Sequence, residues 1–232
     1  MADMYQQLRE LCGDQCEDVV NYFQRIANGK LSGRQELELN LFRIDQAVSW
    51  TCEFRDFQPI VSALRGVILD DPNTSNHHVY LSLAVCAGSI LYLDHDGDSR
   101  IVFPDLDALV TAAEGAVESS RSLCSYHPTT GVILRDQQGL SQLISDLLNG
   151  HYDCDGNAVA LALIPSMDLS DFELLHRLAH DNDFYLAEAV GDAIARRARP
   201  DLRPLAQICA SHQDRQAAAA GERALLAIRA QK

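Results

Sequence analysis

The sequence has no long apolar run, no paired cysteines and no recognisable leader. No stretch approaches the roughly 20 apolar residues that cross a bilayer, which argues against a membrane protein. The seven cysteines stand singly without a C-x-x-C pair, so we expect reduced thiols rather than a disulfide framework. The first residues lack the basic-then-apolar form of a signal peptide. We therefore expect a cytoplasmic protein.

The sequence motifs of common enzyme classes are also missing. The chain contains no nucleophile elbow, no glycine-rich phosphate loop and no zinc-protease helix. No order of serine, histidine and aspartate indicates a catalytic triad. These absences favour a binding protein over an enzyme.

Acidic residues are abundant and unevenly distributed. Thirty-three Asp and Glu against nineteen Lys and Arg give a formal charge of −14. From Arg177 to Lys232 nine basic residues face seven acidic ones, so the first 176 residues carry −16 and the rest +2. A field of this sign repels nucleic-acid phosphates and attracts cations or basic proteins. We expect a basic protein partner and no nucleic acid, although acidity also serves solubility alone.

Helical periodicity dominates the chain. Apolar residues recur every three or four positions over 4–26, 37–52, 57–68, 106–123 and 140–148, which predicts five helices. The run 79–93 is apolar nearly all round and predicts a further helix at the centre of the domain. His77 and His78 precede it, and we expect them to cap or pack rather than bind a metal. Residues 132–134 are typical of a short strand.

An aspartate-dense segment follows this run. Carboxylates stand at alternate positions from Asp94, and another occupies the twelfth place, which is the ligand spacing of a calcium-binding loop. The segment resembles the EF-hand-type loops of bacterial proteins and dockerin modules. That resemblance implies a helix on each side and a weak Ca²⁺ site, because Ser99 replaces the usual glycine at the sixth position. The implied ligands are Asp94, Asp96, Asp98, the carbonyl of Arg100, and Asp105.

Two other interpretations apply to the same residues. One is a solvated turn whose aspartates cap the next helix. The other is based on residues 90–97, an apolar segment followed by Asp94-x-Asp96-Gly97, which resembles the first motif of haloacid-dehalogenase-type phosphatases. That family implies Asp94 as nucleophile and Asp96 as general acid. It also expects a later lysine, yet none occurs between Lys30 and Lys232.

The last quarter of the chain contains an internal repeat. A shift of thirty residues superimposes Leu175 on Leu205 and Gly191 on Gly221, among other pairs. Each copy predicts two short helices. The pattern resembles the HEAT-type repeat, whose helix pairs stack into a solenoid that binds other proteins.

These features together predict a mainly all-α fold. We expect an irregular helical bundle with HEAT-like hairpins at its C-terminal end and one short strand pair near 131–135. Residues 1–150 form an acidic helical domain that contains the 94–105 loop. Residues 168–232 form the repeat, which packs on that domain as one continuous unit.

An acidic helical chain of this kind resembles the small immunity proteins that bacteria make against their own secreted toxins. The resemblance implies an inhibitor that occludes a basic toxin such as a nuclease, since opposite charges speed association. A calcium-binding structural or regulatory module and the phosphatase are the alternatives. The carboxylates expected to lie in exposed loops and contact the partner are Asp70, Asp71, Asp153 and Asp155.

Overall fold

The computed structural model describes residues 2–13 and 16–231. The chain is mainly helical, which confirms the coarse prediction of a mainly α fold. It also contains one small antiparallel sheet. Contacts cluster in two compact units, 1–132 and 133–232. The division falls earlier than the predicted boundary at 150, so the helix predicted at 140–148 belongs to the second unit. Within the described ranges, no helix combines the length and apolar character needed to cross a membrane.

The described residues of the first unit form five α-helices. The helix predicted over 4–26 is interrupted at Gly13, which takes a φ of +76°, and residues 14 and 15 lie outside the described ranges. The helix predicted over 37–52 begins only at Ile44, where the side chain of Gln46 accepts a hydrogen bond from the Arg43 N–H (3.1 Å). The helices are α1 (Ala2–Cys12), α2 (Glu17–Ile26), α3 (Ile44–Arg55), α4 (Pro59–Ala63) and α5 (Leu106–Ser119).

The helix predicted over 79–93 is wrong. This segment supplies parts of two strands and the turn between them, where Gly88 adopts a φ of +86°. A continuous apolar run suits a buried strand as well as a buried helix, and periodicity alone does not separate them. The sheet is antiparallel in the order β1-β2-β3-β4. Its strands are β1 (Val67–Ile68), β2 (His77–Tyr80), β3 (Ile90–Leu93) and β4 (Arg100–Phe103).

The two adjacent histidines of β2 point to opposite faces of the sheet, because side chains alternate along a strand. His77 contacts Trp50 and Phe54 of α3, with ring centroids 5.4 and 4.9 Å away. His78 faces the other way and packs against Tyr92, its cross-strand partner, at 5.2 Å. The sheet therefore separates two different environments for neighbouring imidazoles.

The second unit consists of helices in succession. The strand predicted near 131–135 is wrong: these residues form no strand, and the Leu134 N–H donates to the Ser166 carbonyl (3.2 Å). The seven cysteines of the chain are free in both units. The helices are α6 (Gln137–Leu148), α7 (Gly156–Leu163), α8 (Phe172–Ala179), α9 (Phe184–Arg196), α10 (Arg203–Ala210) and α11 (Arg215–Ala230).

The helix pairs α8/α9 and α10/α11 correspond to the two predicted repeat copies. Asp183 caps α9 and Asp214 caps α11, each by accepting the N–H two residues on. These equivalent caps are 31 residues apart, one more than the shift of thirty found in the sequence. The HEAT-like character of the pairs stays a prediction.

A candidate binding cleft beside a buried histidine network

A cleft of about 450 Å³ opens at one end of the sheet in the first unit. Its wall is the C-terminal half of α3 and the turn after it, and its other sides are the loop after β1 and the residue pair that follows β3. The volume falls within the range of small-molecule and side-chain pockets. The lining residues are Trp50, Phe54, Phe57, Gln58, Asp71, Asn73, Ser75, His77, Leu93, Asp94 and His95.

Three aromatic rings form one side of the cleft. Trp50 and Phe54 stack with centroids 5.6 Å apart and planes 28° apart, and Phe54 meets Phe57 at 5.0 Å. Their spacing of four and three residues places them on one side of α3 and its continuation. Phe57 is 64% exposed, whereas a ring of this size is usually covered. The cleft therefore offers an apolar surface that the described residues of the first unit leave partly uncovered.

Two carboxylates form the other side. Asp71 accepts the Asn73 N–H (2.9 Å), and Asp94 accepts the N–H groups of Asp96 (3.3 Å) and Asp98 (3.2 Å). These loop hydrogen bonds hold both carboxylates in place. None of the described lining residues is Lys or Arg. Neither Asp71 nor Asp94 belongs to an ion pair among the described residues. The nearby Arg100 pairs with Asp98.

A hydrogen bond to Asp70, in the loop after β1, holds His77, which lines the cleft from strand β2. The carbonyl of Asp70 lies 2.9 Å from Nδ1 of His77, so this nitrogen carries the proton and donates. This hydrogen bond holds the His77 ring between the aromatic wall and the strand. The carboxylate of the same Asp70 holds His78 on the opposite face of the sheet. One buried residue thus orients two imidazoles.

The network continues from His78 to the segment after α5. His78 Nδ1 donates to the Asp70 carboxylate, and its Nε2 lies 2.9 Å from Nε2 of His127, so the two imidazoles share one hydrogen bond. Burial lowers the pKa of His127 to about 3, and His78 and Arg100 act in the same direction. His127 is therefore neutral near pH 7, and it ends the hydrogen-bonded chain Asp70–His78–His127.

The predicted partner-binding residues lie in three different environments. Asp70 is fully buried, so its expected exposure is wrong; the reason is the hydrogen bonding from His78, which sequence spacing does not reveal. Asp71 lies in the cleft. Asp153 and Asp155 are exposed in the loop between α6 and α7, where Asp155 caps α7 through the Ala158 N–H.

The predicted metal ligands do not lie between two helices. Asp94, Asp96 and Asp98 occupy the turn that joins β3 to β4, and Arg100 begins β4. Asp105 caps α5 by accepting the Ala108 N–H (2.8 Å). The helix expected before the loop is thus wrong, while the alternative of aspartates that cap the following helix describes Asp105. In the part of the chain that the structure describes, no three His, Cys, Asp or Glu side chains are grouped as a metal site. Calcium binding stays a prediction.

Strand β3 ends directly before Asp94, the residue that the phosphatase interpretation takes as nucleophile. This strand, however, belongs to a sheet whose described strands are all antiparallel. The cleft beside Asp94 has two carboxylates and no Lys or Arg among its described lining residues to offset the charge of a phosphate group. Its electrostatics favour a cation over an anion.

The aromatic wall was not identified from the sequence. The apolar periodicity predicts a buried helix face for Phe57, and it predicts no role for Trp50 or Phe54. Their spacing at positions 50, 54 and 57 is a usable signal, because it lies off the apolar stripe that contains Ile44 and Val48. No feature of the sequence indicates that His77 lines a cleft, because its position depends on strand β2.

Comparisons with known proteins gave no match: no family model fits the chain, and neither curated proteins nor solved structures resemble it closely enough to be identified as relatives. The cleft geometry is therefore the basis for inferring function.

Proposed function

We propose that this chain is a protein-binding inhibitor of the immunity type, which acts in the cytoplasm and neutralises a basic toxin by occluding its functional surface. A nuclease is a suitable target, because proteins that bind nucleic acid present basic surfaces. The inhibitor performs no reaction of its own. Its first unit supplies the contact through the cleft and the acidic residues around it.

The observation that supports this proposal is the pairing of aromatic rings, of which Phe57 is exposed, with two carboxylates that form no ion pair with Lys or Arg among the described residues. Interfaces between proteins are enriched in aromatic side chains, and complementary charges set their specificity. Phe57 supplies an exposed ring, and Asp71 and Asp94 supply the charge. A basic protein surface satisfies both features at once.

The charge of the first unit favours rapid association with such a partner. Residues 1–132 contain nine Lys or Arg and nineteen Asp or Glu, a formal charge of −10. Long-range attraction of this kind raises association rates by roughly 10- to 1,000-fold at low salt. An inhibitor that must reach a toxin before damage occurs benefits from this rate. Asp153 and Asp155 of the second unit remain proposed additional contacts.

The test is a neutralisation assay. Secreted toxins encoded beside the gene for this chain are expressed in bacterial cells with and without the chain, and survival is measured together with the association rate of the purified pair. We expect rescue of growth, and association that slows as salt increases.

Matched charge variants separate the cleft from general acidity. The double variant Asp71→Asn, Asp94→Asn removes two charges from the cleft but keeps oxygen acceptors for the loop N–H groups. The control Glu114→Gln, Glu118→Gln removes two exposed charges from α5. We expect only the first variant to lose rescue. Equal effects of both variants would indicate nonspecific charge, and rescue of no toxin by the parent chain would contradict the proposal.

A further inference from the structure

We propose that the cleft between Trp50, Phe57 and Asp94 binds the guanidinium group of an arginine on the partner protein. This inference rests on the proposed function and names the chemistry that the cleft recognises. It combines the ring geometry, the fixed carboxylates and the absence of Lys and Arg among the described lining residues.

The aromatic wall suits a flat cation. Trp50 and Phe54 present rings 28° from parallel, and Phe57 extends this surface to solvent. A cation within about 6 Å of a ring face is attracted by the ring quadrupole, most strongly over tryptophan. Guanidinium is planar and weakly hydrated, so it stacks on such rings with little loss of hydration. The compact, strongly hydrated ammonium of lysine gains less from the same wall.

The carboxylates provide the second half of the recognition. Asp71 and Asp94 line the cleft together with the rings, and the loop N–H groups of Asn73, Asp96 and Asp98 hold their positions. Guanidinium carries five N–H donors in one plane and pairs with carboxylates through two parallel bonds. Because the carboxylates are already ordered, binding costs little additional side-chain entropy.

Other classes of ligand fit less well. An anion meets two negative charges and no Lys or Arg among the described lining residues. A wholly apolar ligand covers the rings but removes water from carboxylates without replacing their hydrogen bonds, which is costly. A cleft of about 450 Å³ also exceeds a single guanidinium group, and so it leaves room for the methylene stem and the adjoining partner backbone.

Trp50 makes the inference directly testable, because it is the single tryptophan of the chain. Its fluorescence reports occupancy of the cleft without a label. The full chain is titrated with two blocked peptides, acetyl-(Arg-Gly)₄-amide and acetyl-(Lys-Gly)₄-amide, which carry the same charge. We expect a saturable change in Trp50 emission and about tenfold tighter binding of the arginine peptide.

Two cleft variants and two matched controls define the site. Phe57→Ala is expected to weaken the arginine peptide roughly two- to fivefold, since it removes one ring. Asp71→Asn with Asp94→Asn is expected to weaken it about tenfold. The controls Phe172→Ala and Asp153→Asn change an exposed ring and an exposed acid in the second unit and should leave binding unchanged. Thermal unfolding of each variant verifies that it folds.

Three outcomes would overturn the inference. They are equal affinity for the two peptides, no effect of Phe57→Ala, and a dimer in sedimentation experiments that Phe57→Ala dissociates, since a second copy would then occupy the cleft. If the chain prefers the arginine peptide but neutralises no toxin, the proposed function would be contradicted and the arginine site would stand. If Phe57→Ala and the double Asn variant still neutralise a toxin, the arginine site would be contradicted and the inhibitor function would stand.

Discussion

Asp70 accepts two hydrogen bonds from one residue, because both the backbone N–H and the ring Nδ1–H of His78 lie 2.6 Å from its carboxylate oxygens. The carboxylate and the imidazole are both fully buried or nearly so. The pair links the loop after β1 to strand β2, and the Asp70 carbonyl holds His77 in the cleft. A single buried acid therefore supports both the sheet and the candidate site.

Removal of this acid should destabilise the first unit strongly. Asp70→Ala leaves the N–H and Nδ1–H of His78 without an acceptor away from water, and we expect a loss of about 2–4 kcal/mol in the free energy of unfolding. Denaturant unfolding followed by circular dichroism measures it. The neighbouring Asp71→Ala is the control and should cost well under half as much, because Asp71 lies in the open cleft. Similar losses for both would mean that the buried pair contributes little.

Stability should fall as the pH is lowered, in part through His127. The unfolded chain protonates this histidine near its ordinary pKa of 6.5, whereas the folded chain does so only near 3. Between these values the unfolded state binds more protons, so the contribution of His127 is complete above about pH 6.5 and is lost as the pH falls. One group contributes at most about 1.4 kcal/mol per pH unit.

The variant His127→Gln isolates this contribution, because glutamine donates a hydrogen bond but does not titrate. The groups that face His127 are His78, Tyr92 and Arg100, and they are unchanged in the variant. We expect the unfolding free energy of the variant to depend less steeply on pH between 6.5 and 4 than that of the parent. Identical slopes would show that His127 titrates normally in the folded protein.

The contact between α10 and α11 in the second unit should require glycine at position 221. A Cβ at this position would overlap the backbone of Cys209 and Ala210 in α10. Alanine gains about 1 kcal/mol over glycine from helix propensity, but overlap with backbone atoms costs more, and we expect a net loss of about 2 kcal/mol. Thermal unfolding measures the change. Ala219→Ser at an exposed position of the same helix is the control, and a stabilised Gly221→Ala protein would show that the helices separate easily.

Calcium binding to the 94–105 loop stays a prediction and has its own test. The loop lacks the usual glycine at position six and has Asp rather than Glu at position twelve, so we expect dissociation constants of about 1 mM or weaker. Calorimetry with Ca²⁺ measures this, and the pair Asp94→Ala, Asp96→Ala should abolish any heat of binding. Heat that survives in the double variant would place the ion elsewhere.

The helices could be predicted where apolar periodicity coincided with a local cap. Residues 137–148 and 106–119 satisfy this condition, since Asp136 and Asp105 cap α6 and α5. The prediction failed at residues 79–93, where an apolar run without a clear period fits two kinds of structure. Gly88, with its positive φ, lies in the connection that returns the chain from β2 to β3.

The sequence by itself determined the properties that depend on composition and neighbouring residues: the acidic charge, the predominance of helix and the two successive helix pairs after Phe172. Only the tertiary structure decided which of two adjacent acids, Asp70 or Asp71, is buried, and which aromatic rings remain uncovered. These properties depend on partners that are distant along the chain. Asp70 is buried because His78 arrives beside it from the next strand, and Trp50 lines a cleft because His77 and Asp94 are brought to it by the sheet.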